Sequence, residues 1–103
     1  MTSNVTMEWL MEDAIEQGAG LSLARMTVAP GTLSEAHCHP NCTEAIHVLE
    51  GAVRQRKGDA WVEMRQGETV LIPANTVHQT HNKLKETAVL MVAYSSGARE
   101  YLR

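Results

Sequence analysis

Turn-forming residues punctuate this chain at short intervals and leave mostly runs of strand length between them. The marks are Gly18-Ala19-Gly20, Pro30-Gly31, Pro40-Asn41, Gly51, Gly58-Asp59, Gly67, Pro73-Ala74-Asn75 and Gly97. The runs are Leu21–Ala29, Glu35–His39, Thr43–Glu50, Ala52–Lys57, Ala60–Arg65, Thr69–Ile72, Val77–His81 and Thr87–Tyr94. Short strands with turn signals roughly every 8–12 residues belong to a β-sandwich or a closed barrel. Lys57-Gly58-Asp59-Ala60 reads as a hairpin turn, with Gly58 free to take a positive φ. The N-terminus is less clear. Met7, Leu10, Met11, Ala14 and Ile15 recur at helical spacing and would make Met7–Gln17 an amphipathic helix. Val5–Met11 fits equally well as an edge strand followed by a polar loop, and the all-strand context favours that reading.

A chain of 103 residues has room for one core, so residues 1–103 are expected to form a single domain. The net charge of −3 and a pI near 5.9, with basic residues scattered, argue against a nucleic-acid surface, which needs clustered Lys and Arg. The longest basic run, Arg54, Arg56 and Lys57, is too short to count. No stretch approaches the ~20 apolar residues of a membrane span. The segment MTSNVTMEWLMEDA has neither the charged start nor the apolar run of a signal peptide, so a cytoplasmic protein is expected.

Two short segments carry residues with metal-ligand chemistry. In the first, from Gly31 to Gly51, His37 and His39 are separated by one residue, so on an extended chain both imidazoles point to one face. Glu44 follows the Pro40-Asn41 turn and can return to the same interior at the start of the next strand. The second segment, Gly67 to Asn82, adds His78 after a turn at Pro73–Asn75. Three imidazoles and one carboxylate suit a divalent first-row metal, Fe, Mn, Ni, Cu or Zn, with positions left open for water or a small molecule. His47 and His81 fall on the opposite parity and are expected to face away. Cys38 and Cys42 are the two cysteines. A zinc site built on both thiols would call for a second paired ligand set, and none is visible. Alternation turns Cys38 away from its flanking histidines, and Cys42 reads as a small packed residue.

The two segments resemble the paired motifs of the cupin superfamily. The first, Gly31-x5-His37-x-His39-x4-Glu44-x6-Gly51, has every position of the family pattern. The second, Gly67-x5-Pro73-x-Asn75-x2-His78-x3-Asn82, carries Asn75 where the family usually has glycine. Asn is the residue that best replaces glycine in the left-handed region, so the turn can survive the change. Fifteen residues separate Gly51 from Gly67, near the short end of the family range. The resemblance implies an all-β, single-domain cupin double-stranded β-helix, or jelly-roll barrel, with one divalent transition metal held by His37, His39, Glu44 and His78. It also implies a small-molecule ligand or substrate and a homodimer, built by Val5–Met11 or Ala98–Leu102 adding to a neighbour's sheet.

Metal-bearing cupins include dioxygenases, decarboxylases, isomerases, lyases and plain binding or sensing modules. The expectation is a metal-dependent enzyme of oxygenase type acting on a small organic molecule, with Glu44 as a fixed ligand or a catalytic base. A non-catalytic binding or sensing module is the alternative from another class, and an isomerase, lyase or decarboxylase is the alternative enzyme. Ile46, Val48, Leu71 and Met91 are expected to line the pocket, with Thr80 or Asn82 beside them. With Trp9, Trp61, Tyr94 and Tyr101 as the only aromatic residues and no Phe, the pocket is not expected to depend on aromatic stacking.

Overall fold

The computed structural model describes residues 4–103. Eight strands are formed: β1 (Val5–Met11), β2 (Ser22–Val28), β3 (Glu44–Glu50), β4 (Ala52–Lys57), β5 (Ala60–Arg65), β6 (Thr69–Ile72), β7 (His78–His81) and β8 (Ala88–Tyr94). Among the described residues there is no helix, and hence none long and apolar enough to cross a membrane. The N-terminal segment is the strand, with a turn-rich stretch after it.

One sheet has the order β1-β2-β8-β3-β6 and the other β5-β4-β7, every pairing antiparallel. This is the expected all-β jelly roll. Strict alternation builds the core. Ala24, Met26 and Val28 of β2, Ile46 and Val48 of β3, and Ala88, Leu90, Val92 and Tyr94 of β8 point inward, where they meet Val53 and Met64 of the second sheet. Lys57 pairs with Ala60 across a two-residue loop in which Gly58 has φ 61°, the hairpin chemistry read from the sequence. Asn75 takes φ 63°, so it does adopt the left-handed conformation of the glycine it replaces.

Two expectations are corrected. Glu35–His39 is not a strand, because its backbone pairs one residue at a time with different neighbours: His37 with His78, and Cys38 with Leu102. Leu71 and Met91 do not face the interior. Leu71 lies opposite Ala45 and Met91 opposite His47, on the outer parity of β3, and Leu71 is 55% exposed. In the C-terminal segment, Leu102 exchanges both backbone hydrogen bonds with Cys38 of its own chain, at 2.8 and 2.9 Å.

Gly51 forms the corner where the chain leaves β3 for β4 in the other sheet. Its φ is 82°, and a Cβ there would lie 3.3 Å from both Ala88 Cα and Thr87 O. Gly58 shares the positive φ but has open space around it. Gly51→Ala is therefore expected to destabilise the fold by about 1–3 kcal/mol and Gly58→Ala by about 1 kcal/mol, from conformation alone. Urea unfolding of the two variants measures the difference, and equal losses would mean that the β8 backbone yields at the corner.

Candidate metal centre

The site lies where two strand starts and one irregular segment meet. Glu44 opens β3 and points inward on the parity of Ile46 and Val48, and His78 opens β7 on the parity of Thr80. His37 lies directly across from His78, and their backbones exchange hydrogen bonds of 3.2 and 2.9 Å. The ring centroids of His37 and His78 are 4.2 Å apart, those of His37 and His39 4.9 Å, and those of His39 and His78 5.1 Å. One ligand nitrogen from each ring lies within 4.8 Å of the other two, an arrangement that could hold a metal ion. Glu44 abuts two of the three rings: its Oε1 is 2.9 Å from His78 Nε2 and 3.4 Å from His39 Nε2. The structure thus brings together all four residues singled out by the motifs, although the mutually close group consists of the histidines alone.

Each imidazole is fixed from behind. His37 Nδ1 lies 2.8 Å from the Glu35 carbonyl, His39 Nδ1 2.7 Å from that of Glu100, and His78 Nδ1 2.9 Å from that of Thr76. A carbonyl oxygen only accepts, so Nδ1 carries the proton and the neutral ring presents a bare Nε2 lone pair. His39 Nε2, His78 Nε2 and Glu44 Oε1 are buried without a hydrogen bond of proper geometry. Two lone pairs aimed at a carboxylate oxygen repel unless a positive charge lies among them. A metal ion meets that need, and the donor set therefore fits one. Without a metal, a proton on His78 takes its place. Burial disfavours that charge, but Glu44 outweighs burial and raises the His78 pKa. Burial alone would likewise raise the pKa of Glu44, yet its contacts with His39 and His78 hold it down to about 2. His37 lies outside this pair. Burial, helped by its two histidine neighbours, lowers its pKa from 6.5 to about 4, so it stays neutral.

The cluster opens onto a cavity of about 710 Å³ whose lining includes His37, His78, Glu44, Ile46, Thr80, Tyr94, Arg99 and Tyr101. Ile46 and Thr80 hold their expected places, whereas Val48 lies deeper in the core. Asn82 is instead a structural residue: it donates to the carbonyls of Val28 and Glu86 and accepts from Leu84 N–H. The expectation about aromatic residues is overturned. Tyr101 stacks on His37 at 4.3 Å, and Tyr94 meets the His39 ring edge-on at 5.2 Å. An inward Met91 would put Tyr94, of the opposite parity on the same strand, outside, and nothing periodic announces Tyr101 or Arg99 in the tail. His47 faces away and bonds Thr69 Oγ1, and His81 lies near Trp61. Cys38 and Cys42 are buried and free, and neither joins the metal-capable group.

The cupin domain family model matches residues 24–94. The chain belongs to the cupin family. A germin-like protein from Morus alba is 34% identical to this cupin over 84 residues, covering 77% of the present chain and 40% of the relative. The chain spans about two-fifths of the length of the curated relatives it matches. A solved oxalate oxidase superposes with a TM-score of 0.88 at 25% identity, over 99% of this chain and 56% of that one. A cupin-2 domain from Rhodospirillum rubrum gives a TM-score of 0.82 at 22% identity, over 94% of this chain and 62% of that one, a likeness of fold.

Imidazole titration of the metal-free cupin by NMR tests the charge arrangement. His78 should titrate above the ordinary 6.5 and His37 near 4. The His78 contribution to stability is then present below 6.5 and fades as pH rises through its raised pKa, while that of His37 is present above 6.5 and fades toward 4. In Glu44→Gln the anion that opposes burial is gone, so His78 should titrate below 6.5. An unmoved His78 in that variant would show that Glu44 does not set its charge.

Proposed function

We propose that this cupin holds one divalent transition metal through His37, His39, His78 and Glu44, and is an enzyme of oxygenase or oxidase type acting on a small organic molecule. The observation that carries the reading is the convergence of buried, unpartnered His39 Nε2, His78 Nε2 and Glu44 Oε1, with each Nδ1 already committed to a carbonyl, beside an open cavity. A metal bound there would supply Lewis acidity and, if redox-active, dioxygen chemistry. The likeness to an oxalate oxidase supports an oxidative reaction.

The chain's own residues do the rest. The three carbonyls keep the imidazoles in the ligating tautomer, so little reorganisation is needed on metal binding. Glu44, ionised down to about pH 2, suits the part of an anionic ligand better than that of a base working near neutrality. Tyr101 stacks on the His37 ring, and Ile46 and Met26 give the cavity an apolar wall against which a small ligand loses water.

Elemental analysis of protein purified without an affinity tag, with His78→Ala alongside, tests the metal. Near-stoichiometric Fe, Mn, Ni, Cu or Zn that disappears in the variant is expected, and the triple change of His37, His39 and His78 to Ala should abolish binding. Stoichiometric metal in the triple variant would place the ion elsewhere. Ligation requires neutral imidazoles, so affinity should fall as pH drops through the raised pKa of His78, with a proton released on binding. An oxygen electrode then separates the two classes of function. Consumption with small oxidisable acids or diketones supports the enzyme, whereas ligand binding by metal-loaded protein with no consumption across such a panel would favour the binding module.

A further inference from the structure

Two guanidinium groups line the cavity, and their circumstances differ. Arg103 Nε donates to Glu35 at 2.8 Å, so its charge is matched. Arg99 makes no hydrogen bond or ion pair with any of the described residues. Its surroundings are three aromatic rings: Cζ stands 5.0 Å from the centroid of Trp9, 5.2 Å from Tyr94 and 5.4 Å from Tyr101. Rings attract the cation but accept none of its in-plane N–H bonds in the way a carboxylate does. A half-buried guanidinium held in this way keeps a set of uncommitted donors, in the fork geometry that carboxylates match in pairs.

The group is also held in register with the histidines. Asn41 clasps the backbone on both sides of Arg99: Nδ2 donates to Ala98 O at 2.9 Å, and Oδ1 accepts from Glu100 N at 2.8 Å. The Glu100 carbonyl is the same one that orients His39. Tyr94 and Tyr101, which contact Arg99, also contact His39 and His37. The cavity's own carboxylates are engaged elsewhere, Glu35 with Tyr101 and Arg103, and Glu44 with His39 and His78. A fixed, unmatched cation in a partly enclosed cavity draws in an anion.

We propose that Arg99 is the carboxylate-recognition residue of this cavity: the ligand is a small organic carboxylate whose acid group lies on the Arg99 N–H edge while its other end reaches the histidine cluster. The proposal rests on the reading of the cavity as the ligand pocket of a metal centre. Its structural competitor is a clasp, in which Arg99 only pins the C-terminal segment to Trp9 of β1.

Calorimetric titration of the zinc-loaded protein with malonate and with its uncharged analogue malonamide separates these, with bound zinc counted in every sample. The wild type should bind malonate more tightly than malonamide. R99Q should weaken malonate by about tenfold or more, the effect of losing a charge-assisted pair, with malonamide binding and zinc content unchanged. R99K, which keeps a cation for the rings but loses the planar fork, should fall between them, and it serves alone if R99Q does not fold. Equal malonate affinity in the wild type and the variants would overturn the proposal. So would an equal loss of malonate and malonamide, the result expected of a clasp, or no malonate binding by the wild type at millimolar concentration. Arg99-dependent malonate binding in protein that takes up no zinc would sustain the proposal while removing the metal reading.

Discussion

A carboxylate that is 3% exposed at the mouth of an apolar barrel is the constraint around which this end of the molecule is built. Ionised groups carry a desolvation cost of several kcal/mol in such a place, and they persist only where positive charge and hydrogen bonds offset it. The alternation of β3 leaves Glu44 no alternative. With Ile46 and Val48 committed to the core, residue 44 must point inward as well. Its compensation is found in His39 and His78, and His37 completes the ring of nitrogens. A well-packed apolar residue would often serve stability as well or better, so three buried polar side chains with a half-buried fourth in one cluster argue for a role beyond holding the fold.

The second dependence is long in sequence. Motif residues between positions 37 and 78 supply the nitrogens and the carboxylate, but the tail finishes the environment around them. Glu100 orients His39, Tyr101 covers His37 and reaches Glu35, and the Cys38–Leu102 pair fastens the tail against the motif. Asn41 is the hinge point of this arrangement, since one amide side chain bonds the tail backbone at two places. The Pro40-Asn41 turn therefore both returns the chain for Glu44 and receives the C-terminal segment.

The parity of side chains was legible in the sequence where a motif residue fixes the inward face, as Glu44 does for Ile46 and Val48 and His78 for Thr80. His37, His39, Glu44 and His78 converge as the motifs implied, Gly58 and Asn75 take their left-handed conformations, and Val5–Met11 pairs as an edge strand. Apolar character alone does not fix which face of a strand is inward. Leu71 and Met91 were placed inside, yet pairing with Ala45 and His47 puts them outside. Glu35–His39 reads as a strand because its composition does, while its hydrogen bonds alternate between partners distant in sequence. The aromatic count misled for a related reason. A low total says nothing of position, and three of the four aromatic residues gather beside the histidines or Arg99.

The division of labour follows from which parts are rigid. The histidines and Glu44 sit at the starts of paired strands or are locked to backbone carbonyls, so their geometry belongs to the fold. The rest of the cavity wall comes from β1, Met26 of β2, the 32–35 segment and the tail, and the tail is fastened through one isolated bridge, the Asp13 N–H to Gly97 carbonyl bond and the two Asn41 side-chain bonds. These elements also reach the core, since Val5, Met7 and Trp9 of β1 pack against it and the Trp9 ring lies 5.9 Å from that of Tyr94 at the end of β8. The nitrogens and the carboxylate of the cluster thus come from the motif residues, while much of the cavity in front of them comes from β1, the 32–35 segment and the C-terminal tail.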